Sequence, residues 1–570
     1  MKISTSGTPY SNELLKKEGC STLNMLQRFK DKDISKEFDL IVIGGGINGC
    51  GIARDASERG LSVLLLEKED FGSGCTSAST RLIHGGLRYL EHFEFDLVRE
   101  SLREREILLQ NANHLVKPIE LCIPIYKTDK RGYFLIKTGM ILYDLLSFDK
   151  SLPGHKMMSK SEFINYEPSV RKENLKGAAL YYDAQVTYAE RLCVENAIMA
   201  KNNGALVLNH AEVISFEINS GEIASVRFLD KLTGKAHKVK GKSIINVSGP
   251  WVDSLCGLVD KNIKKQIGGT KGSHIIIKKF NSGPKHALYV NAKSDSRPFF
   301  ILPWQDYYLI GTTDIPFSGN LDELKAHEDE IKYLIGETNN VLESKKISIS
   351  DILFSYSGVR PLPYTGNQSN PAKITRKHII HEHVEEDLSN FISVIGGKLT
   401  TYRNLSEQAV DLVYKKLGYD FISSKTKNKP LIGNIDSVQK IEAYKKSQAK
   451  KLQRRHDLDQ EIVFHLIDLY GKRYKEVLDL TVNNPEQGKL LSSYSLDIRA
   501  EVEFSICKEM AYTLSDVLLR RTVLGLNENL GEDAIPEVLR QLQILLDLSN
   551  GELKQQTEDY IKKIVQQRKL

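Results

Sequence analysis

Two groups of residues in this chain have the types and spacing to do chemistry. The first is Gly44, Gly46 and Gly49, which together with Asn48 complete a G-x-G-x-x-G pattern, with Glu67 closing the apolar run that follows. Such glycines allow a tight turn, a close backbone approach to a pyrophosphate and close helix–strand packing. The helix that opens there offers free N–H groups and a positive dipole end to phosphate. An acid at the end of the second strand accepts hydrogen bonds from ribose hydroxyls and repels a 2′-phosphate. The second group is cationic and recurs in five glycine- or turn-rich segments. These are Arg81, His84 and Arg88 in "STRLIHGGLRYLE", Lys271 and His274 in "TKGSH", Arg360 in "YSGVRP", Arg376 in "KITRKH", and Lys398 in "GGKLTTY". Carboxylates are scarce in these segments, so a pocket built from them suits a small anion, with arginine as a bidentate phosphate partner.

The surrounding pattern supplies the elements that must hold these residues. "FDLIVIGGGINGCGIARDASERGLSVLLLEKE" reads as a strand over 39–43, a helix over 48–59 ended by Gly60, and a second strand over 62–67, a βαβ unit. Apolar residues at helical spacing predict an amphipathic helix over 95–112. Residues 205–247 alternate and carry turn signals, predicting a hairpin-rich sheet that ends in "SIINVSGPW". A helix is expected over 323–342, and a long one after the glycine pair of "GGKLTTYRNLSEQ". Residues 1–37 read as a polar leader with a short helix near 23–29. Residues 418–433 read as a linker, and 434–570 as a helical cap domain whose first helix carries the basic run "YKKSQAKKLQRR".

The glycine motif alone does not separate NAD from FAD, but three features favour FAD. A small-residue loop, "GSGCTSASTRLIHGG", follows the βαβ unit at once and suits continuation along an extended dinucleotide. Ser248 and Gly249 in "NVSGPW" permit a second close backbone approach. Gly397, Leu399 and Thr400 stand at a late helix start, whose positive end suits the anionic edge of a reduced flavin.

Composition sets the outer limits. At 570 residues the chain exceeds one ordinary core. A net charge of +6 is too small for its length to imply nucleic-acid binding. Seven scattered cysteines with no CxxC pair suggest neither a disulfide framework nor a zinc site, and fit a reducing cytosol. No metal site is expected. No apolar run reaches the length of a spanning helix. The nearest, "YFLIKTGMILYDLLSF" at 133–148, is open to two readings: a half-buried core helix, or a surface that dips into one leaflet.

In order along residues 38–405, "IVIGGGINGCGIARDASERGLSVLLLEKEDF", "TSASTRLIHGGLRYLE", "REREILLQNANHLV", "KGSHIII", "ILPW", "IGTTD", "YSGVRPL", "ITRKH" and "GGKLTTYR" resemble the FAD-dependent, quinone-linked glycerol-3-phosphate dehydrogenases. "LLRRTVLGL" resembles their C-terminal domain more loosely. The resemblance implies an α/β + α fold. It comprises a discontinuous FAD-binding Rossmann-type domain of the glycine/amino-acid-oxidase class, interleaved over 38–417 with an antiparallel-sheet substrate domain, and a helical C-terminal domain. It implies oxidation of glycerol 3-phosphate to dihydroxyacetone phosphate, with electrons passed to membrane quinone.

The resemblance also assigns roles. Arg88 and Tyr89 reach the substrate, Ser77 and Ser79 run along the cofactor, and Gly85 and Gly86 pass close under the flavin ring. Arg88 and Arg376 are the candidates for the phosphate, and Arg360 and Lys398 for the C2 oxygen, where negative charge develops. His274 is the candidate general base and Thr313 a candidate substrate hydrogen-bond partner. A quinone acceptor implies peripheral, monotopic attachment to the inner face of the cell membrane through 133–148, in a cytoplasmic protein, with a homodimer left open. The extra substrate-domain segment of the streptococcal-type oxidases is not evident, which favours dehydrogenase over an oxidase that makes hydrogen peroxide. An amine or amino-acid oxidase on the same fold is disfavoured, because one carboxylate does not need so many cations.

Overall fold

The computed structural model describes residues 28–366, 374–436, 441–456, 458–482 and 484–570. Most of the leader, including nearly all of the helix expected near 23–29, lies outside the described residues. Its last part is pinned, because Arg28 forms an ion pair with Asp230.

The first sheet contains Glu37–Ile43 (β1), Val63–Leu66 (β2), Leu206–Leu208 (β3), Lys235–Asn246 (β4), Ile379–Glu382 (β5) and Phe391–Ile395 (β6). Their order across the sheet is β5-β6-β4-β1-β2-β3. All neighbours are parallel except β5, which pairs antiparallel with β6. A parallel sheet is covered on both faces, which is why β2 reads as an unbroken apolar run and is buried throughout. The helix Ile47–Glu58 (α1) links β1 to β2, as the glycine pattern predicts. The hairpin Ala211–Asn219 and Glu222–Asp230 extends antiparallel from the first half of β4.

A second, ten-stranded and largely antiparallel sheet is built around Val116–Tyr126, Leu175–Val186, Thr270–Lys278 and Ile352–Arg360. Phe95–Asn111 (α2) is the expected amphipathic helix and buries Leu97, Val98, Leu102 and Leu108. Tyr133–Leu146 (α3) buries Met140 and Tyr143. Its other face is apolar and open, with Phe134 82% exposed, Leu135 61%, Leu145 67% and the following Phe148 77%. The core-helix reading of this segment therefore holds for one face only.

Ala189–Asn202 (α4) and Tyr402–Leu417 (α5) pack on α1. Beyond α5 the segment read as a linker carries no helix or strand, yet it is held down. Leu431 N–H donates to Asn111 O, and the Lys429 carbonyl accepts from Arg54. The remainder is helical, including Arg499–Glu509 (α6). Its apolar core is continuous with the one beneath the first sheet. Cys50, Cys75, Cys122, Cys193 and Cys256 are free thiols.

Candidate active site

The C-terminal ends of β1, β2, β4 and β6 open into one cavity of about 1220 Å³, the crevice position at which open α/β sheets bind ligands. Gly44 has φ +111°, and a Cβ there would lie 2.7 Å from Val247 O. At Gly49 a Cβ would lie 1.8 Å from Gly44 O, so this glycine packs α1 on the turn and does not itself line the cavity. Gly46 does line it, and a Cβ there would meet only Thr76 Oγ1, at 3.8 Å. Gly46 is also the N-cap of α1 and supplies no side-chain cap; Ile47 N–H is met by Thr76 Oγ1 at 3.2 Å, and the positive end of the helix faces the cavity.

Around this end, Asn48 Oδ1 and Trp251 Nε1 are buried without a partner. Glu67 lines the cavity while its carboxylate accepts from Gly45 N–H and Glu69 N–H. Burial pushes its pKa up, against those bonds. Ser248 Oγ donates to Asn246 Oδ1 at 2.6 Å. The Ser77 hydroxyl donates to Ser73 O and Gly74 O, and the Ser79 carbonyl accepts from Tyr356 OH. Gly396 and Gly397 both hold positive φ before α5, and Thr400 Oγ1 accepts from His84 N–H at 3.1 Å. A glycine cradle, a helix N-terminus facing the cavity, a strand-end acid and orphaned donors and acceptors along one long cavity fit FAD.

The far end of the cavity is cationic. Asp314 gathers three guanidiniums: Arg360 NH1 at 3.0 Å, Arg297 NH2 at 3.2 Å and Arg376 NH2 at 3.6 Å. Arg376 NH1 has no partner, and Arg88 makes no ion pair among the described residues. Burial, with Arg–Arg repulsion, pushes Arg360 and Arg376 down to about 10, so both stay charged at neutral pH. Lys398 Nζ lies 3.1 Å from Ser101 Oγ and 3.8 Å from the centre of the Tyr89 ring. Burial pushes its ammonium down to about 7. His274 stacks on Tyr356 and shares a 2.9 Å hydrogen bond with Thr80 through Nε2, leaving Nδ1 unpartnered. Burial, helped by Arg360 and Arg81, pushes it down to about 3.

Of the residues singled out from the sequence, Gly49, Gly85, Lys271 and Thr313 do not line the cavity; Gly85, expected to pass under the flavin ring, instead faces Tyr143 and Leu102. Thr313 requires correction. Its hydroxyl donates to Glu330 Oε1 at 2.7 Å and accepts from Ser273 N–H, facing away from the cavity, and Thr312 takes the lining position instead. Arg81 and Lys271 are committed to buried pairs with Glu190 and Glu330. The sequence reading missed Arg297 and Asp314. Arg297 sits in "SDSRPFF", a turn-rich context like those of the other cations, so a signal was present. His84, noted only as one cation of the opening loop, lines the cavity, and burial pushes it down to about 4. Gly86 holds φ +78°, and a Cβ there would strike the Tyr89 ring at 2.1 Å. Gly85 N–H donates to Tyr143 OH at 3.1 Å, which ties the loop to α3.

Fold and cavity together define a flavin-dependent oxidoreductase with an anion-binding substrate end. Residues 39–398 match the family described as FAD dependent oxidoreductase, and residues 424–552 match the C-terminal domain of alpha-glycerophosphate oxidase. A glycerol-3-phosphate dehydrogenase from Synechocystis sp. is 47% identical over 503 residues, covering 86% of this chain and 90% of the relative. The aerobic glycerol-3-phosphate dehydrogenase of Staphylococcus saprophyticus is 34% identical, covering 88% and 89%. The FAD complex of glycerol-3-phosphate dehydrogenase from Bacillus halodurans superposes with a TM-score of 0.77 at 27% identity, covering 94% of this chain and 96% of that one. The chain belongs to the FAD-dependent glycerol-3-phosphate dehydrogenase/oxidase family.

Proposed function

We propose that the protein oxidises sn-glycerol 3-phosphate to dihydroxyacetone phosphate and passes the electrons to membrane quinone. The observation that carries the substrate is the pair of unspent cations in the cavity, Arg88 and Arg376 NH1. A phosphate dianion supplies the acceptors that these donors lack, and Arg297 stands beside them. Bound FAD supplies the hydride acceptor. Gly44, Gly46, Asn48, Glu67, Ser248, Gly249, Gly397, Leu399 and Thr400 hold it, with the loop through Ser77 and Ser79 along its length. Arg360 and Lys398 face the C2 oxygen and stabilise the charge that develops there. His274, with Nδ1 unpartnered in the cavity wall, is assigned the C2 hydroxyl proton on position, while burial lowers its basicity.

The membrane end of the reading is supported by the open apolar face of α3. Among the described residues no helix is long and apolar enough to cross a bilayer; the proposed attachment is monotopic, from the cytoplasmic side. A second reading, an oxidase reducing oxygen to hydrogen peroxide, is favoured by the C-terminal match to alpha-glycerophosphate oxidase.

Anaerobic mixing with sn-glycerol 3-phosphate should bleach the flavin, whereas glycerol and amino acids should not. Reoxidation by a soluble quinone faster than by oxygen, without stoichiometric peroxide, would support the dehydrogenase. The reverse order would establish the oxidase, and no bleaching would remove the substrate assignment.

A further inference from the structure

At the edge of the first sheet, away from the cavity, the sequence "HEHVEED" turns the chain from β5 into β6. His381 lies in β5, His383 follows it directly, and Glu386 lies in the turn. Residues two apart on an extended chain point to one side. His381 Nε2 lies 3.7 Å from Glu386 Oε1, and His383 Nδ1 lies 3.5 Å from Glu386 Oε2. All three ligand atoms fall within 4.8 Å of one another. Ligands about 2.0–2.2 Å from a tetrahedral zinc ion sit roughly 3.3–3.5 Å apart, a spacing that the two histidine–carboxylate distances already approach.

Three independent features point to a ligand. His383 is wholly buried, yet its Nδ1 has no hydrogen-bond partner, and neither does His381 Nε2 or Glu386 Oε2. Unpartnered buried polar atoms are costly, and here three converge on one point. The other nitrogen of His383 is tied to Ser393 Oγ at 2.8 Å, the outer-shell contact that fixes the orientation of a metal-binding imidazole. The His383 ring is further clamped by stacking on Phe391 at 4.6 Å. His381 and Glu386 are 33% and 22% exposed at their side chains, which leaves an entry path and a fourth position for water.

Two other histidine–carboxylate clusters differ in charge, although His465 Nε2 and Glu501 Oε1 are likewise buried without a hydrogen-bond partner. His210 pairs with Asp516 beside Arg520 and Arg521, which already neutralise Asp516 and Asp70. At His465 burial opposes the charge, but Asp497 and Glu501 prevail and hold the imidazole protonated.

We infer that His381, His383 and Glu386 form a binding site for a divalent transition metal of the zinc class, which staples the β5–β6 turn. Two imidazoles and one carboxylate are a donor set for Zn²⁺ or Co²⁺ and not for Ca²⁺ or Mg²⁺, which take oxygen ligands. The site lies at the end of β6 opposite Gly396 and Gly397, so metal occupancy should leave turnover unchanged.

The test uses the untagged, FAD-loaded full chain, stripped with EDTA and titrated with Zn²⁺ in a calorimeter and with Co²⁺ by absorbance to the red of the flavin. One Zn²⁺ per chain is expected, with ligand-field bands for Co²⁺. His381→Ala and Glu386→Gln should each weaken binding by more than about tenfold with the flavin spectrum intact. His383 is left in place because its ring also fills the core against Phe391. Absence of saturable binding, or an affinity unchanged in either variant, would overturn the assignment.

Discussion

Lys398 is where proton and anion chemistry meet. Its pKa near 7 arises mainly from burial, with Glu100 and Glu94 pulling the other way, so in the ligand-free protein it crosses between ammonium and amine near neutral pH. A phosphate dianion in the same cavity favours the ammonium. Substrate binding at about pH 8 should therefore take up a proton, visible as a dependence of the calorimetric enthalpy on buffer ionisation heat, and Lys398→Met should abolish it. The same variant should lose about 10²–10³ in kcat. The stability effect has the opposite sign. The folded pKa lies below the unfolded value near 10.4, so the buried charge costs stability in full below about pH 7. That cost fades as pH rises towards 10, and Lys398→Met should raise the melting temperature at neutral pH. If Arg88 and Arg376 hold the phosphate as proposed, Arg88→Ala and Arg376→Ala each remove a charge-assisted contact of about 1.5–3 kcal/mol. Steady-state kinetics should show KM for glycerol 3-phosphate rising roughly 10- to 100-fold, with no comparable loss of any residual turnover of glycerol.

Among the elements, α3 has the clearest consequence. Transferring Phe134 and Leu135 from water to an apolar phase gains about 1.5–3 kcal/mol each. The double change to serine should therefore weaken co-sedimentation with anionic liposomes by roughly 10²–10⁴-fold while leaving anaerobic flavin bleaching intact; unchanged co-sedimentation would exclude α3 as the anchor. The elements also show what the sequence made legible. β1, α1 and β2 were readable because glycine spacing, a strand-end acid and apolar runs all demand the same turn. α2 was readable because its charges alternate with its apolar stripe. The exposure of α3 was not, since periodicity cannot say which side faces water when both sides are apolar. Thr313 was misplaced because alternation at a strand end, which sends neighbouring side chains to opposite faces, put Thr312 on the cavity wall. Asp314 escaped notice because a search for cations passes over the carboxylate that gathers them.

Over the whole molecule, the helical C-terminal region is fastened to the Rossmann-type domain by buried charge. Glu509 on α6 accepts from Arg191 of α4 and from Arg473, and Asp70, just beyond β2, accepts from Arg520 and Arg521. Burial pushes the Glu509 pKa up, but the two arginines outweigh it and hold it at about 2. Its contribution is present above the unfolded pKa near 4.3 and is lost as pH falls through about 2, which should steepen acid unfolding in that window. Glu509→Gln leaves two buried guanidiniums short of a partner, at a cost of about 3–5 kcal/mol, measurable by denaturant titration. The fastening also closes the cavity. Lys563, Ile564, Gln567 and Arg568 stand in its wall, alongside residues from the first βαβ unit. Removing 563–570 should make the flavin dissociate faster on dilution. The cavity is therefore framed by the βαβ unit near the start of the fold and closed by residues 563–568, far along the chain. A nascent chain can shape the cradle early in synthesis, but it cannot enclose a cofactor until residues 563–568 have emerged and packed back against it.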